Sequence, residues 1–144
     1  MVEYRVMTIE DYDEVLALWQ KTEHLKLRIT DSRENISKYL KASPHCSFVA
    51  VENGVIVGSV LGGTDYHRSF INHLCVDASM RKKGIGGKLV ELCENALSEL
   101  SDARIYITVR KDNDAGINWW HAHDYEDLDH VTLMWKNIHA DTDN

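Results

Sequence analysis

The chain has 144 residues, of which 44% are hydrophobic and 27% are charged, and its formal net charge is −7. These values are typical of one globular domain over residues 1–144, and the acidic balance argues against a nucleic-acid-binding protein. Charged residues interrupt every early apolar run, so neither a signal peptide nor a membrane span is predicted. Three cysteines lie in apolar runs and favour reduced, buried thiols in a cytoplasmic protein: Cys46, Cys75 and Cys93.

A short strand and two helices are predicted at the start of the chain. Residues 3–7 alternate as a strand would, and Thr8 with Asp11 can cap the first helix. That helix carries one apolar stripe, formed by Ile9, Tyr12, Val15, Leu16 and Trp19. A second, shorter helix begins at another capping pair, Asp31 and Glu34, and ends before the only proline of the chain.

A β-hairpin is predicted next. Asn53-Gly54 is a preferred two-residue turn, and it predicts that residues 47–51 pair with residues 55–61. Apolar residues occupy both parities of the first strand, so we expect the sheet to be covered on both faces. A polar loop over residues 62–69 then leads to a central strand over residues 70–76.

The stretch after the central strand has the features of an anion site. A polar turn with cations leads into a helix whose apolar face is formed by Ile85, Leu89, Leu92, Cys93, Ala96 and Leu100. Glycine costs about 0.5–1 kcal/mol relative to alanine inside a helix, so three glycines in the first turn indicate that a ligand approaches the backbone. The first N–H groups of a helix lack intrahelical partners and lie at its positive end. They predict a phosphate site together with Arg81, Lys82, Lys83 and Lys88.

Two common phosphate-binding motifs do not fit this stretch. The P-loop needs Ser or Thr after its lysine, whereas Leu89 follows Gly87-Lys88. The dinucleotide fingerprint needs a third glycine where Leu89 stands, and a strand directly before its first glycine; here a polar turn intervenes. A nucleotide-phosphate-binding protein is therefore disfavoured.

The C-terminal third predicts two more strands. Residues 104–109 alternate, and because a helix joins them to the central strand, the two strands should run parallel. Residues 130–136 alternate as a last strand would, and residues 137–144 are polar and expected to fray. His121 and His123 do not share a helix face, so we expect no metal site there.

The pattern Arg81-x-x-Gly84-x-Gly86 between a strand and a helix resembles the pyrophosphate-binding signature of the GNAT superfamily, the acyl-coenzyme-A-dependent N-acyltransferases. The order of predicted elements agrees with that superfamily over nearly the whole chain. The resemblance implies an α/β (α+β) fold: a mixed, mostly antiparallel sheet, with helices on both faces and a central parallel strand pair splayed around the cofactor. Residues 65–69 before residues 71–76 are similar to a small bacterial single-domain subgroup whose substrate is unassigned.

A second block is similar to the superfamily motif in which an Asn and an Ala precede an aromatic pair. Asn113, Ala115 and Trp119-Trp120 match it, whereas Asp124-Tyr125 replaces the usual Gly-Phe. The resemblance gives Asn113 a hydrogen bond to pantetheine, although this residue can equally cap the following helix. Family members often use a tyrosine of the pair as general acid. Trp120 stands there and cannot titrate, so the tryptophans are expected to form core and a wall along the cofactor.

The resemblance implies acetyl-coenzyme A as the cofactor, held by three sets of contacts. Backbone N–H groups of residues 82–87 would hold the pyrophosphate, assisted by Arg81 and Lys88, and the unpaired edge of residues 74–76 would bind pantetheine like an added strand. The Val76 N–H would polarise the thioester carbonyl. The predicted cofactor-binding residues are Leu74, Cys75, Val76, Arg81, Lys82, Lys83, Gly84, Ile85, Gly86, Gly87, Lys88, Asn113, Trp119 and Trp120.

Four side chains on or just before the central strand are candidates for the general base: Asp65, Tyr66, His67 and His73. Superfamily members place a carboxylate or a histidine there. Histidine has the intrinsic pKa best suited to the task, but strand parity points His73 opposite to Leu74 unless the strand bulges. Bulk water, or an unaided neutral amine, is the alternative to all four.

The residues and the resemblance together predict an N-acetyltransferase that moves acetyl from acetyl-coenzyme A to a primary amine by direct attack in a ternary complex. The acidic balance favours a cationic acceptor, such as a polyamine, an aminoglycoside, or a lysine or N-terminal amine of a protein. The alternative is a non-catalytic acyl-coenzyme-A-binding or regulatory module, which the missing tyrosine favours. Neither nucleic acid nor a membrane is expected as partner, and the oligomeric state, a homodimer included, stays open.

Overall fold

The structure is a computed structural model that describes residues 1–139. It forms two compact units, one from Met1 to Thr108 and one that begins at Val109. The strands of the first unit are β1 (Glu3–Val6), β2 (Phe48–Glu52), β3 (Val55–Thr64), β4 (Ser69–Val76) and β5 (Ile105–Tyr106). The α-helices of that unit are α1 (Tyr12–Gln20), α2 (Arg33–Ala42) and α3 (Ile85–Leu100), and the second unit contains α4 (Asp114–Ala122).

Among residues 1–139, the strands form one five-stranded sheet in chain order. Neighbouring strands are antiparallel except β4 and β5, which are parallel. Successive side chains of β3 point to opposite faces: Ser59 accepts a hydrogen bond from Trp19 of α1, whereas a Cβ on Gly58 would contact Leu89 and Ile85 of α3. The predicted mixed, mostly antiparallel sheet with helices on both faces is confirmed.

Local capping sets the starts of α1 and α2. Thr8 and Asp11 form the predicted capping box, which starts a 3-10 turn that continues into α1. The second predicted capping pair, Asp31 and Glu34, is wrong, because Ser32 caps α2 and its hydroxyl accepts a backbone hydrogen bond at 3.2 Å. Asp31 instead ends the preceding 3-10 turn, and its carboxylate contacts the sheet.

Apolar side chains fill both faces of the sheet. On one face a buried cluster joins α1 and α2 to the strands: Met7, Tyr12, Val15, Leu18, Trp19, Ile36, Val49, Ile56, Leu61 and Cys75. Towards the other face, α3 buries Ile85, Leu89, Val90, Cys93 and Leu97. All three cysteines are buried free thiols, as predicted. The sheet is therefore covered on both faces by packed helices.

Two strand predictions in the C-terminal third are wrong. β5 covers only Ile105–Tyr106 of the predicted range 104–109. Residues 130–136 form no strand, and the apolar side chains that predicted one are exposed: Val131, Leu133 and Trp135. Alternation makes a segment amphipathic, but a strand is stable only when other strands or a helix pack against it. The alternating segment pairs with no strand in the described part of the chain.

The remaining boundaries differ slightly from the prediction. β3 extends to Thr64 and β4 begins at Ser69, so the predicted loop shrinks to a turn over residues 65–68. Residues 137–139 have no helix or strand and are exposed, and the rest of the predicted frayed tail, residues 140–144, lies outside the described residues. None of the described helices is long and apolar enough to cross a membrane.

Candidate functional site

One edge of β4 is open beyond its first two residues. β5 pairs with β4 only at Ser69 and Phe70. Within residues 1–139, no strand pairs with residues 71–76 on that side. The parallel pair therefore separates after two residues, and the predicted splay is confirmed.

The backbone of Val76 is directed toward this open edge. Asp77 donates its N–H to the Val57 carbonyl at 2.8 Å, and Gly58 lies opposite Val76. In an antiparallel ladder such a bond flanks a non-hydrogen-bonded pair, so the N–H and C=O of Val76 face away from β3. The Val76 carbonyl accepts a hydrogen bond from Arg81 Nε at 3.2 Å. The Val76 N–H is thus presented at the open edge as a donor.

The turn before α3 leaves the first amides of that helix without a side-chain cap. Gly84 is the N-cap residue, with φ +81°, and no side chain caps the helix. The first intrahelical bond runs from the Lys88 N–H to the Gly84 carbonyl at 3.1 Å. The N–H groups of residues 85–87 therefore precede the hydrogen-bonded part of the helix and point out of its end. These amides and the helix dipole favour an anion at this place.

The predicted cations around the turn differ in their partners. The Arg81 guanidinium forms an ion pair with Glu23, and that hydrogen bond lowers the pKa of Glu23. Arg81 therefore links the connector after α1 to the end of β4. The lysines are exposed: Lys82, Lys83 and Lys88.

A β-bulge in β4 turns His73 to the face covered by α1 and α2. Asn72 lies opposite Leu61, and Cys75 lies opposite Ser59, so two residues of β4 face one residue of β3. His73 is one of the two, with φ +51°. The parity argument against His73 assumed a regular strand, and the bulge removes it.

His73 is hydrogen-bonded to Asp31, the residue at the end of the turn before α2. His73 Nε2 lies 2.7 Å from Asp31 Oδ1, and the side chains are 23% and 11% exposed. The imidazole packs edge-on against Trp19, with ring centroids 4.9 Å apart. Burial by itself would raise the pKa of Asp31, but the hydrogen bond and charge of His73 and the Arg28 N–H bring it below 3.8. The carboxylate is therefore ionised at neutral pH.

A second polar link joins the bulge to α2. Asn72 Nδ2 donates to the Tyr39 hydroxyl at 3.4 Å, and burial raises the pKa of Tyr39 to about 12. Tyr39 lies directly over Gly63, where a Cβ would come within 2.7 Å of the hydroxyl oxygen. Two neighbouring residues of β4 thus contact different parts of the segment over it: Asn72 contacts α2, and His73 contacts the turn before α2.

The three other candidate bases lie in the turn between β3 and β4. Asp65 Oδ1 accepts the N–H groups of His67 at 2.8 Å and Arg68 at 2.7 Å, and these bonds lower the pKa of Asp65. Tyr66 is exposed. The turn precedes Ser69, and four strand residues span about 13 Å, so the structure does not bring these side chains next to His73.

In the second unit, Asn113 caps α4: its Oδ1 accepts the Gly116 N–H at 3.0 Å. The capping alternative for Asn113 is confirmed. Trp119 and Trp120 are half-buried rather than core residues, and they pack edge-to-face with ring centroids 5.0 Å apart. His121 contacts Asp127 at 2.8 Å. Within residues 1–139, no group of three His, Cys, Asp or Glu side chains is placed to hold a metal ion.

The sequence profile of the Acetyltransferase (GNAT) family matches residues 12–125. The chain belongs to this family. Its relatives include an acetyltransferase of Pectobacterium atrosepticum, which is 35% identical over 132 residues, 92% of this chain and 93% of that protein.

Solved structures that share the GNAT fold of this chain have low sequence identity to it. The PaiA N-acetyltransferase of Thermoplasma acidophilum, in complex with coenzyme A, has a TM-score of 0.75 at 14% identity, over 85% of this chain and 88% of that one. AAC(6')-Iy, in complex with the bisubstrate analogue CoA-S-monomethyl-acetylneamine, has a TM-score of 0.76 at 15% identity, over 95% and 99% of the two chains.

In this GNAT acetyltransferase the sequence predicted the open strand edge and the helix start correctly, but it missed three partners. Asp31 was assigned to a helix cap, although it contacts His73. Glu23 and Tyr39 carried no functional prediction, although they contact Arg81 and Asn72. These contacts join residues far apart in the chain, and no local sequence pattern indicates them.

Proposed function

We propose that this GNAT acetyltransferase transfers acetyl from acetyl-coenzyme A to a primary amine by direct attack in a ternary complex. One observation carries the proposal: the open edge of β4, with the Val76 N–H directed toward it, leads directly into a helix start without a side-chain cap. A thioester and a diphosphate belong to one molecule in acetyl-coenzyme A. The donor for the carbonyl and the amides for the diphosphate belong to one short stretch of this chain.

The residues present fit acetyl-coenzyme A, which supplies an activated acyl group when it is bound. The amides of residues 85–87 would hold the pyrophosphate, and the exposed Lys82, Lys83 and Lys88 add positive charge there. The β4 edge over residues 74–76 would receive pantetheine through backbone hydrogen bonds. The Val76 N–H would donate to the carbonyl oxygen as negative charge develops on it.

His73 is the side chain that we assign as general base. The acceptor enters as an ammonium ion, and one of its protons passes to the imidazole and then to solvent. The amine nitrogen attacks, so that a C–N bond forms and the C–S bond breaks, and its second proton ends on the departing sulfur. The products are an amide, coenzyme A and one released proton. A thiol with a pKa of about 8.5 is a tolerable leaving group near neutral pH, so the absence of a tyrosine at Trp120 does not prevent transfer.

A cationic amine is the acceptor class that the charge of the chain favours. The net charge of −7 attracts polyamines, aminoglycosides and basic peptide amines more than neutral or acidic amines. The family match spans residues 12–125, on both sides of the division at Thr108, which supports a single catalytic domain. Three buried free thiols support a reducing compartment, the cytoplasm.

A thermal-shift assay with acetyl-coenzyme A, ATP and NAD tests the cofactor site. A ligand at 100 times its Kd adds about 2.7 kcal/mol, and a chain of this size gains about 2–4 °C per kcal/mol. Acetyl-coenzyme A should therefore raise Tm by about 5–11 °C, and ATP and NAD far less. Gly86→Asp, which places a carboxylate at the start of α3, should abolish the shift.

Asn95→Asp is the matched control, since it adds the same charge to an exposed position of α3 beyond the first turns. This variant should keep the acetyl-coenzyme A shift. Release of free thiol with a panel of cationic amines then tests transfer. An equal shift with ATP would contradict the cofactor assignment, and cofactor binding without thiol release from any amine would favour the non-catalytic module.

A further inference from the structure

We propose that Asp31 is a positioning residue that holds His73 in the Nε2–H tautomer, so that Nδ1 of His73 is the atom that takes the proton of the acceptor amine. The inference rests on the proposed function and extends it to a residue outside β4. It concerns the atom that acts as base and the side chain that selects it.

A short hydrogen bond joins His73 to Asp31. His73 Nε2 and Asp31 Oδ1 are 2.7 Å apart, which is the length of a charge-assisted bond. An ionised carboxylate only accepts hydrogen bonds, so the proton between the two atoms belongs to Nε2. A neutral imidazole has one protonated nitrogen, and the lone pair therefore lies on Nδ1.

Asp31 is itself held in place by two further hydrogen bonds. Its Oδ2 accepts the Arg28 N–H at 3.0 Å, and its backbone carbonyl accepts the Tyr12 hydroxyl at 2.6 Å. These contacts come from the 3-10 turn and from α1. The Tyr12 bond fixes the backbone of Asp31, and the carboxylate cannot swing away from His73 without also breaking its bond to the Arg28 N–H.

The imidazole plane of His73 is held in place as well. The β-bulge directs His73 toward α1 and α2, and the edge-on contact with Trp19 limits rotation of the ring. Trp19 is fully buried and is held by its own hydrogen bond to Ser59 at 3.1 Å. With Nε2 directed at Asp31, Nδ1 has one direction in which to receive a proton. The positive charge formed there is compensated by the Asp31 carboxylate.

The tautomer can be measured on the protein without any ligand. Two-bond ¹H–¹⁵N NMR of the labelled imidazole, at a pH where the ring is neutral, reports which nitrogen carries hydrogen. The wild-type protein should show His73 as the Nε2–H tautomer, and Asp31→Asn should show a mixture. An Nδ1–H tautomer in the wild-type protein would overturn the inference, whether or not the variant folds.

Kinetics supply the second measurement, with the amine found in the panel. Asp31→Asn should lower kcat at least tenfold and leave KM for acetyl-coenzyme A unchanged, since the change alters the base and not the cofactor contacts. Asp127→Asn is the matched control: it removes the carboxylate from the exposed His121–Asp127 pair, at 2.8 Å, and should change neither quantity.

The outcomes separate this inference from the proposed function. A wild-type protein that acetylates amines, together with an Asp31→Asn variant of equal kcat and an unchanged His73 tautomer, would overturn the role of Asp31 alone. A wild-type protein that binds no acetyl-coenzyme A would overturn the proposed function. An Asp31→Glu variant that recovers part of the lost kcat would support positioning by a carboxylate.

Discussion

Replacing Val76 by proline removes one N–H group and should slow transfer strongly without unfolding the protein. Proline has no backbone N–H, and within sheets it is accepted where that group does not pair with a neighbouring strand. The Val76 N–H meets this condition, because Val76 and Gly58 form a non-hydrogen-bonded pair of the β3–β4 ladder. The same substitution at Cys75, which lies opposite Ser59 in the hydrogen-bonded register, would remove a ladder bond.

The size of the effect follows from the number of donors lost. Loss of one oxyanion-type donor costs about 10²–10³ in kcat, or about 2.7–4 kcal/mol. We therefore expect Val76→Pro to lower kcat by that factor. Its Tm should stay near that of the wild-type protein. Cys75→Pro loses a hydrogen bond worth about 0.5–1.5 kcal/mol and leaves a buried carbonyl unpaired, at a further cost of about 1–3 kcal/mol. Its Tm should fall by about 3–18 °C.

Three quantities are measured for both variants: the rate of thiol release, the Tm, and the change in Tm on titration with acetyl-coenzyme A. Val76→Pro should still be stabilised by the cofactor, because the amides of residues 85–87 are unchanged. A semisynthetic protein with an ester in place of the Val76 amide removes the N–H without adding the proline ring, and it should reproduce the loss of kcat. A folded Val76→Pro variant with wild-type kcat would refute the assignment of this N–H.

Two further predictions concern stability. Gly62→Ala should destabilise the protein by about 1–3 kcal/mol, since a Cβ would collide with Cys93 Sγ and the Cys46 carbonyl. Urea unfolding measures the loss of stability, and an unchanged unfolding midpoint would contradict the packing around Gly62. Asp11→Asn should cost stability at neutral pH but much less at a pH well below 3.8, because the hydrogen bond from Arg5 lowers the pKa of Asp11 below that value. The stability from a carboxylate with a lowered pKa is lost as pH falls through its folded-state pKa. Equal losses for Asp11→Asn at both pH values would count against this ion pair.

The bulge in β4 shows where sequence reasoning reached its limit. A period of two predicts which face each side chain of a regular strand takes, and on that basis His73 was expected to point opposite to Leu74 unless the strand bulged. The bulge adds one residue against β3 and reverses the parity from that point. The sequence of residues 70–76 gives no sign of the bulge, since neither glycine nor proline occurs there. The strand register, which depends on β3, decides it.

In the second unit the sequence predicted a strand that does not form. Alternation over residues 130–136 predicted a strand, and Asn113 had two equally weighted roles. The structure shows Asn113 as the α4 cap and no strand over that segment. Capping is a local interaction, completed within three residues, and it is readable from sequence. Strand formation requires a partner elsewhere in the chain.

The sequence by itself determined the order of helices and strands through α4, the hairpin at Asn53-Gly54, the uncapped glycine start of α3 and the buried thiols. Each of these depends on residues close together in the chain or on their apolar pattern. Only the tertiary structure decided how many residues of β4 pair with β5, that a bulge turns His73 toward α1 and α2, and that Asp31 meets His73. Those features depend on strand register and on packing between distant segments, for which no short sequence pattern exists.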